Sequence, residues 1–357
     1  MNVEITLKDD SKRGTLPKDE NTLGFGRIFT DHMFIHEFKE GMWQNPKIEP
    51  YRNLSLSPAA LVLHYAQEIF EGMKAFHQQN NKGVSLFRPE LNAQRMVDSA
   101  IRMDMAPYPI DYFLEALQKL VGIERKWVPS LVGTSLYIRP TMIASQEALG
   151  LKSSKEYLFY VILTPVGPYF SEGFKPIKIF VEPFFVRAVL GGTGEAKTGG
   201  NYSSSLLALK KAFDAGCSQV MWLDAIEHKY IEEVGTMNQF FVLDEVIYTA
   251  PLTGTVLRGV TRESVIQLAK DQGYKVKEEA LSIDQVIEGI HSGNLSEAFG
   301  AGTAASIAPV GELFYKDKKY HINSLNVGPI TQKLYDLLTG IQYGRIQDPY
   351  GWNVPIK

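Results

Sequence analysis

Gly191-Gly-Thr-Gly-Glu-Ala-Lys-Thr-Gly-Gly-Asn-Tyr202 is the stretch on which the reading of this chain turns. Five of its twelve residues are glycine, set around a single lysine, Lys197. Glycine at that density marks backbone in unusual conformations or in close approach to a ligand. A phosphate-cradling P-loop is the first candidate, because Gly191, four residues, and Ala196-Lys197-Thr198 nearly match its pattern. Val220-Met-Trp-Leu-Asp224 even imitates the apolar strand ending in a magnesium-binding Asp. Against it, Ala196 puts a Cβ where that turn needs glycine, and Gly199-Gly200-Asn201 interrupts the helix that should start at the lysine. A purely structural turn is a second candidate. The third is a lysine working as an amine: compact, with a depressible pKa, and able to form a Schiff base with a carbonyl cofactor. Its neighbours should then provide a phosphate cup, a partner for a pyridine nitrogen and a carboxylate site.

The rest of the chain limits these options. At 357 residues it is long for one hydrophobic core. Hydrophobic residues make up 45% and charged residues 22%, which excludes disordered and low-complexity classes. Thirty-seven basic residues face 40 acidic ones, so no basic field exists to recruit nucleic acid or an anionic membrane. The lone Cys217 excludes a disulfide or a cysteine-based zinc site within one chain, and no metal is expected. It reads as a small buried residue after a helix. The N-terminal segment has neither a signal-peptide nor a transit-peptide pattern, and the longest apolar run, 157–163, is too short for a bilayer. A cytoplasmic protein is expected, with a loose polar arm over its first ~20 residues.

Pro89 at a first helical position and Leu91, Met96, Ala100 and Ile101 on one face predict a helix after Arg88. Asp111 is the expected N-cap of another, with Phe113, Leu117 and Leu120 at helical spacing. Strands are expected over 135–139, 157–163, 177–181 and 220–224, and helices over 202–213, 261–270, 285–291 and 330–339. Short strands with frequent turns favour an α+β class over one long parallel sheet. The Gly- and Pro-rich stretch 166–176 is the expected domain boundary.

Ten segments in order resemble the branched-chain aminotransferases, fold-type IV enzymes of the class IV pyridoxal-phosphate-dependent aminotransferase family. They are Leu23-Gly-Phe-Gly, Phe29-Thr-Asp-His-Met33, His64-Tyr65, Phe70-Glu-Gly-Met-Lys-Ala-Phe76, Leu86-Phe-Arg-Pro89, Tyr137-Ile-Arg-Pro140, Lys197-Thr-Gly-Gly-Asn-Tyr202, Glu233-Val-Gly-Thr-Met-Asn238, Gly259-Val-Thr-Arg262 and Phe299-Gly-Ala-Gly-Thr-Ala304. The resemblance implies a smaller N-terminal α/β domain over 1–170, a linker over 171–182, and a larger cofactor-binding domain with a barrel-like sheet over 183–357.

Carried over by residue, Lys197 resembles the lysine that binds pyridoxal 5′-phosphate and shuttles the proton between substrate Cα and cofactor C4′. Glu233 resembles the carboxylate facing the pyridine nitrogen, and Tyr202 the tyrosine on the phenolic oxygen. Without the motif, Glu232-Glu233 would read as a solvated strand end. Arg88, the start of a helix at Val260 and Thr261, and Thr303 resemble the phosphate site, with Arg187 linked to it. Lys74 reads as a snorkelling or supporting cation. Phe25, Phe70, Tyr137, Tyr169, Thr236, Met237 and Ala304 resemble the substrate pocket, and Arg139 with Tyr137 would orient the substrate. Tyr65, Leu149 and Leu151 resemble residues lent by a neighbouring subunit, which implies a homodimer.

The implied reaction is ping-pong transamination of Leu, Ile and Val with 2-oxoglutarate. One methylene in an apolar pocket is worth only ~1–3 kcal/mol, so such a pocket prefers the three without separating them sharply. D-amino acid aminotransferases and aminodeoxychorismate lyases share the lysine–glutamate pair and stand as the nearest alternatives. They lack the Phe29–Met33 and Tyr137–Pro140 contexts. Ala305 and Ala308 stand where some animal members carry a Cys-x-x-Cys redox pair.

Overall fold

Alternation along two long strands builds the first half of the molecule. The computed structural model describes residues 1–79, 83–167 and 174–357, and the chain divides into two compact units. The first takes Met1–Tyr169, Ala196–Gly199 and Ile341–Lys357, and the second takes Phe170–Glu195 and Gly200–Gly340. The first is therefore the longer, the reverse of the expected order of sizes. Lys197 groups with it and not with the expected cofactor domain. The stretch expected as a linker contains a full strand, Ile177–Val181.

In the first unit the strands are β1 (Glu4–Ile5), β2 (His32–Lys39), β3 (Met42–Pro50), β4 (Glu68–Phe70), β5 (Met73–His77), β6 (Val84–Phe87), β7 (Ser135–Ala144) and β8 (Tyr157–Val166). β7 pairs with all of β8 along one edge, while β4 and β5 share its other edge. Successive side chains leave opposite faces of a strand. Leu136, Ile138 and Met142 of β7 and Phe159, Val161 and Leu163 of β8 thus form one apolar face. Helices α2 (Pro89–Arg102) and α3 (Ile110–Ile123) cover that face with Met96, Ala100, Phe113, Leu117 and Leu120. The opposite face carries Tyr137, Arg139, Thr141, Tyr160 and Thr164. Pro89 opens α2 as expected, but α3 begins at Ile110 after Pro109, with no side-chain cap from Asp111. Pro109 already sets the chain direction there, and Asp111 falls inside the first turn.

The N-terminal arm is not loose. β1 pairs in parallel with β3. The Asp31 carboxylate accepts from the Gly14 N–H at 2.9 Å, the Lys8 amine at 3.0 Å and the Trp127 indole at 3.1 Å, and it pairs with Lys126 at 3.2 Å. Burial alone would raise the Asp31 pKa. The Gly14, Trp127, Lys8 and Lys126 bonds outweigh it and hold the carboxyl well below the usual range. A carboxyl depressed in the folded state stabilises fully above its unfolded pKa of about 3.9, and that stabilisation is lost as pH falls below it. Asp31→Asn is therefore expected to lower the unfolding free energy by about 3 kcal/mol at pH 7. Urea unfolding at descending pH should show the gap between wild type and variant closing below about pH 4.

The second unit holds β9 (Ile177–Val181), β10 (Gln219–Leu223), β11 (Ile231–Val234), β12 (Met237–Leu243), β13 (Val246–Thr249), β14 (Lys275–Glu278), β15 (Leu295–Gly302), β16 (Ser306–Tyr315) and β17 (Lys318–His321). Pairings β9–β10–β11–β12–β15–β16 return to β9, so six strands close into a barrel. The closing contact is short: Glu233 opposite Asn238 and Val234 opposite Met237, across the Gly235-Thr236 turn. Gly235 takes φ +56, and a Cβ on it would overlap the Gln219 side-chain amide. Helices α4 (Gly199–Ser203) and α5 (Leu206–Asp214) replace the single helix expected there. α5 packs Ala208 and Ala212 on Val220 and Trp222 of β10 beside the buried Cys217, and Ile179, Val181, Met221, Val234 and Leu313 line the opposite side of these strands. Helices α6 (Val260–Asp271), α7 (Ile283–Ser292) and α8 (Pro329–Gln342) follow; in the first unit, helix α1 (Leu61–Tyr65) precedes β4, and β18 (Asn353–Pro355) pairs with β6. Among the described residues no helix is long and apolar enough to cross a membrane.

Candidate active site

Four of the expected substrate residues, Phe25, Phe70, Tyr137 and Arg139, lie in the first unit with Lys197 and contact one another or its amine. The Lys197 N–H donates to the Ser99 hydroxyl of α2 at 2.9 Å, and its carbonyl accepts from the Phe70 N–H at 2.9 Å. The Thr198 hydroxyl donates to the Glu68 carbonyl at 2.7 Å. The lysine segment thus runs along the edge of β4 that β7 leaves open, and the Lys197 amine lies 4.7 Å from the Phe70 ring centroid. The Arg139 guanidinium lies 4.7 Å from the same ring, and Arg139 donates to the Tyr137 hydroxyl at 3.0 Å. Phe25 meets Tyr137 edge-on with centroids 5.0 Å apart.

Glu71 fixes this edge. Its carboxylate is fully buried and receives a two-point bond from Arg95 at 2.7 and 2.8 Å and another from Asn92 at 2.8 Å. Burial would raise the Glu71 carboxyl, yet Arg95, Lys197 and Asn92 together hold it low. Gly72, next in sequence, has no room for a side chain, because a Cβ would overlap the Tyr137 hydroxyl. Gly72→Ala must displace Tyr137 and with it the Arg139 bond. The expected result is a rise in substrate KM of at least about tenfold, with melting temperature lowered by only a few degrees, read by steady-state kinetics and thermal unfolding.

Lys74 stands opposite Tyr137 on β5, and burial pushes its amine down to about 8. Glu68, on the Phe70 side of β4, is pushed up by burial and partly drawn back by the Arg139 charge.

In the second unit the centre is Glu233, at 4% exposure. Arg187 pairs with one of its oxygens at 2.7 Å, while the other accepts from the Asn238 amide at 2.9 Å and the Leu257 N–H at 3.0 Å. Arg187 also donates to the Gly194 carbonyl at 3.1 Å and to the Thr255 carbonyl. Gly194 is needed there, since a Cβ would press on Ala188 and on the Thr255 backbone. Glu232 is buried as well, not solvated as a bare strand end would be, and burial raises its carboxyl. Asn238 continues to the Leu257 carbonyl at 2.9 Å, and α6 starts three residues on, at Val260 and Thr261, with Gly259 as a cap lacking a side-chain bond. A helix start left without a side-chain cap presents backbone N–H groups to an anion.

Two hairpin tips adjoin in the same unit. Thr236 is exposed at one, while Met237 is buried with its side chain against Gly300 and Gly302. Half-buried Thr303 and Ala304 form the other, directly after Gly302. Tyr202 is half-buried in α4. Arg88, at the N-cap of α2, lies over the Trp352 ring. The Tyr65 hydroxyl donates to the Leu149 carbonyl, and Leu149 and Leu151 are among the most exposed apolar residues. Tyr169 lies outside the described residues. Asp224, the candidate magnesium ligand of the P-loop reading, accepts instead from the N–H groups of Ile226, Glu227, Lys229 and Tyr230. That carboxylate is a turn cap.

Sequence reasoning passed over Ser99, Thr198, Glu71, Arg95 and Asn238. Only Asn238 carried a legible signal: a two-residue turn sets positions 233 and 238 directly opposite.

Each unit, taken by itself, carries groups that fit part of an anionic aromatic aldehyde. The first offers the Lys197 amine, held through its own backbone. The second offers a buried carboxylate fixed by Arg187 and Asn238, and an uncapped helix start. The Arg139 Nε is moreover buried without a hydrogen-bond partner among the described residues, as expected of a group awaiting a carboxylate.

Comparison with known proteins agrees. The pattern of the amino-transferase class IV family matches residues 68–313. Branched-chain-amino-acid aminotransferase 2 of Bacillus subtilis is 50% identical over all of this chain and 97% of its own length. The Escherichia coli branched-chain amino acid aminotransferase superimposes with a TM-score of 0.76 at 27% identity, covering 92% of this chain and 99% of that one. The T.th. branched-chain amino acid aminotransferase, solved with N-(5′-phosphopyridoxyl)-L-glutamate, gives 0.73 at 27% identity over 90% of this chain and 98% of its own. With that lysine segment, that buried glutamate and matches of this length, the chain belongs to the branched-chain-amino-acid aminotransferases of the class IV family.

Proposed function

We propose that the protein transfers the amino group of branched-chain L-amino acids to 2-oxoglutarate by a ping-pong cycle, with pyridoxal 5′-phosphate as cofactor. The observation that carries this reading is the Lys197 amine over Phe70, beside Arg139 and Tyr137. Bound pyridoxal 5′-phosphate supplies an electron sink that makes the Cα proton of the amino acid removable. Lys197 holds the cofactor at rest and, once freed, takes the Cα proton. Glu233 sets a carboxylate against the pyridine nitrogen, and Arg187 and Asn238 hold that carboxylate in place. Tyr202 donates to the phenolic oxygen. Arg88, the Val260 and Thr261 N–H groups and the Thr303 hydroxyl bind the phosphate.

The role proposed for Phe25, Phe70 and Tyr137 of the first unit, and for Thr236, Met237 and Ala304 of the second, is to keep water from the reacting bond. Tyr169, expected in the same role, lies outside the described residues. Arg139 and Tyr137 orient the substrate carboxylate. Tyr65, Leu149 and Leu151, exposed in the single chain, complete the pocket of a second subunit in a homodimer. An amino-donor screen with 2-oxoglutarate tests the reading. Leu, Ile and Val should be used within about tenfold of one another, since their side chains differ by one methylene or its position. Activity on D-alanine with none on L-leucine would reject it.

A further inference from the structure

Arg88 does not hold its position alone. Its backbone is left-handed, φ 48 and ψ 48, a conformation that costs a non-glycine residue and persists only where its surroundings enforce it. The enforcement comes from the far end of the chain. The Arg88 N–H donates to the Trp352 carbonyl at 2.8 Å, and the guanidinium carbon lies 4.9 Å from the centroid of the Trp352 ring. The Trp352 ring is itself wedged: Tyr350 stacks on it at 4.1 Å and 18°, and Phe87 meets it edge-on at 5.6 Å and 82°.

The segment bearing these rings is a built turn. The Asp348 carboxylate accepts from the Tyr350 N–H at 3.1 Å and the Asn353 N–H at 2.8 Å, and Gly351 between them takes φ +67. Directly after it, β18 pairs with β6, with Asn353 opposite Phe87. Trp352, 8% exposed, is thus a fixed aromatic platform under a strained arginine.

We propose that Trp352 is a positioning residue for phosphate binding: its ring under the guanidinium carbon and its carbonyl on the Arg88 N–H fix where the guanidinium sits, and from there its N–H groups meet the phosphate. The inference rests on the assignment of Arg88 to the cofactor phosphate. It makes the C-terminal turn part of the cofactor site, although no atom of that turn need touch the cofactor.

The test compares two ligands that differ only in the phosphate. The full chain is stripped of cofactor, and pyridoxal 5′-phosphate and pyridoxal are titrated separately by calorimetry. Trp352→Ala should weaken pyridoxal 5′-phosphate by about tenfold, the size of a partly buried cation–π contact, and leave pyridoxal within about twofold. Trp352→Phe, which keeps a ring and a folded turn, should recover most of the loss. Equal weakening of both ligands in Trp352→Ala and Trp352→Phe would mean that the residue only maintains the fold, and would overturn the proposal. So would unchanged affinity for pyridoxal 5′-phosphate. Arg88→Ala separates the two levels. If it weakens pyridoxal 5′-phosphate selectively while Trp352→Ala does not, the positioning role alone fails. If Arg88→Ala has no effect, the phosphate assignment fails with it.

Discussion

Lys197→Ala is expected to lower kcat by at least about 10⁴-fold, because one amine is asked both to hold the cofactor and to move the Cα proton. The fold should survive. What docks this segment is its backbone, through the Ser99 hydroxyl and the Phe70 N–H, together with the Thr198 hydroxyl, and alanine keeps all three bonds. Thermal unfolding within a few degrees of wild type, together with the kinetic loss, would mark the effect as chemical. A small primary amine in the buffer should restore part of the rate, since it can take over the proton transfer proposed for Lys197. Borohydride reduction of the holoenzyme should fix the cofactor on the Lys197 peptide. Lys74 is the rival amine, and a label found there would reassign the roles of the two lysines.

Glu233→Gln should have the next largest effect, a loss of about 10²–10³-fold in kcat. The amide is isosteric and can still accept from Asn238 and Leu257, so geometry is largely kept while the charge is lost. Without that charge the pyridine nitrogen has no reason to stay protonated, and electron withdrawal from the substrate weakens. Arg187 is left beside a neutral partner in a buried setting, so stability should also fall, by about 3 kcal/mol. Kinetics and urea unfolding of the same preparation read both losses. If kcat were kept while stability fell, Glu233 would be a structural anchor of Arg187 only.

Much of this was legible in the amino-acid sequence, in a particular order. The glycine-flanked lysine singled itself out, ten ordered motifs brought in Glu233, and the resemblance added Arg187 from ten residues before Lys197; Arg187 and Glu233 pair at 2.7 Å. Strand and helix positions on either side followed from alternation and from Pro89. What could not be read was pairing between distant segments. The N-terminal arm looks loose as a polar stretch, yet Asp31, Trp127 and Lys126 tie it down, and nothing local announces bonds spanning a hundred residues. The same holds for Lys197, which groups with the first unit because Ser99 and Phe70 hold its backbone. The barrel closure shows the intermediate case. Its two-residue turn is local, but that Glu233 and Asn238 close a six-stranded ring depends on strands far apart in the chain.

The most direct test is a single half-reaction. Holoenzyme is mixed with L-leucine and no oxo acid, and the released 2-oxo acid is counted against subunits. The ping-pong cycle requires one equivalent of 4-methyl-2-oxopentanoate per subunit, with loss of the lysine-bound cofactor's absorbance at the edge of the visible. Addition of 2-oxoglutarate should then restore that absorbance and yield L-glutamate. No oxo acid from L-leucine in a cofactor-loaded protein, or release from D-alanine in its place, would contradict it.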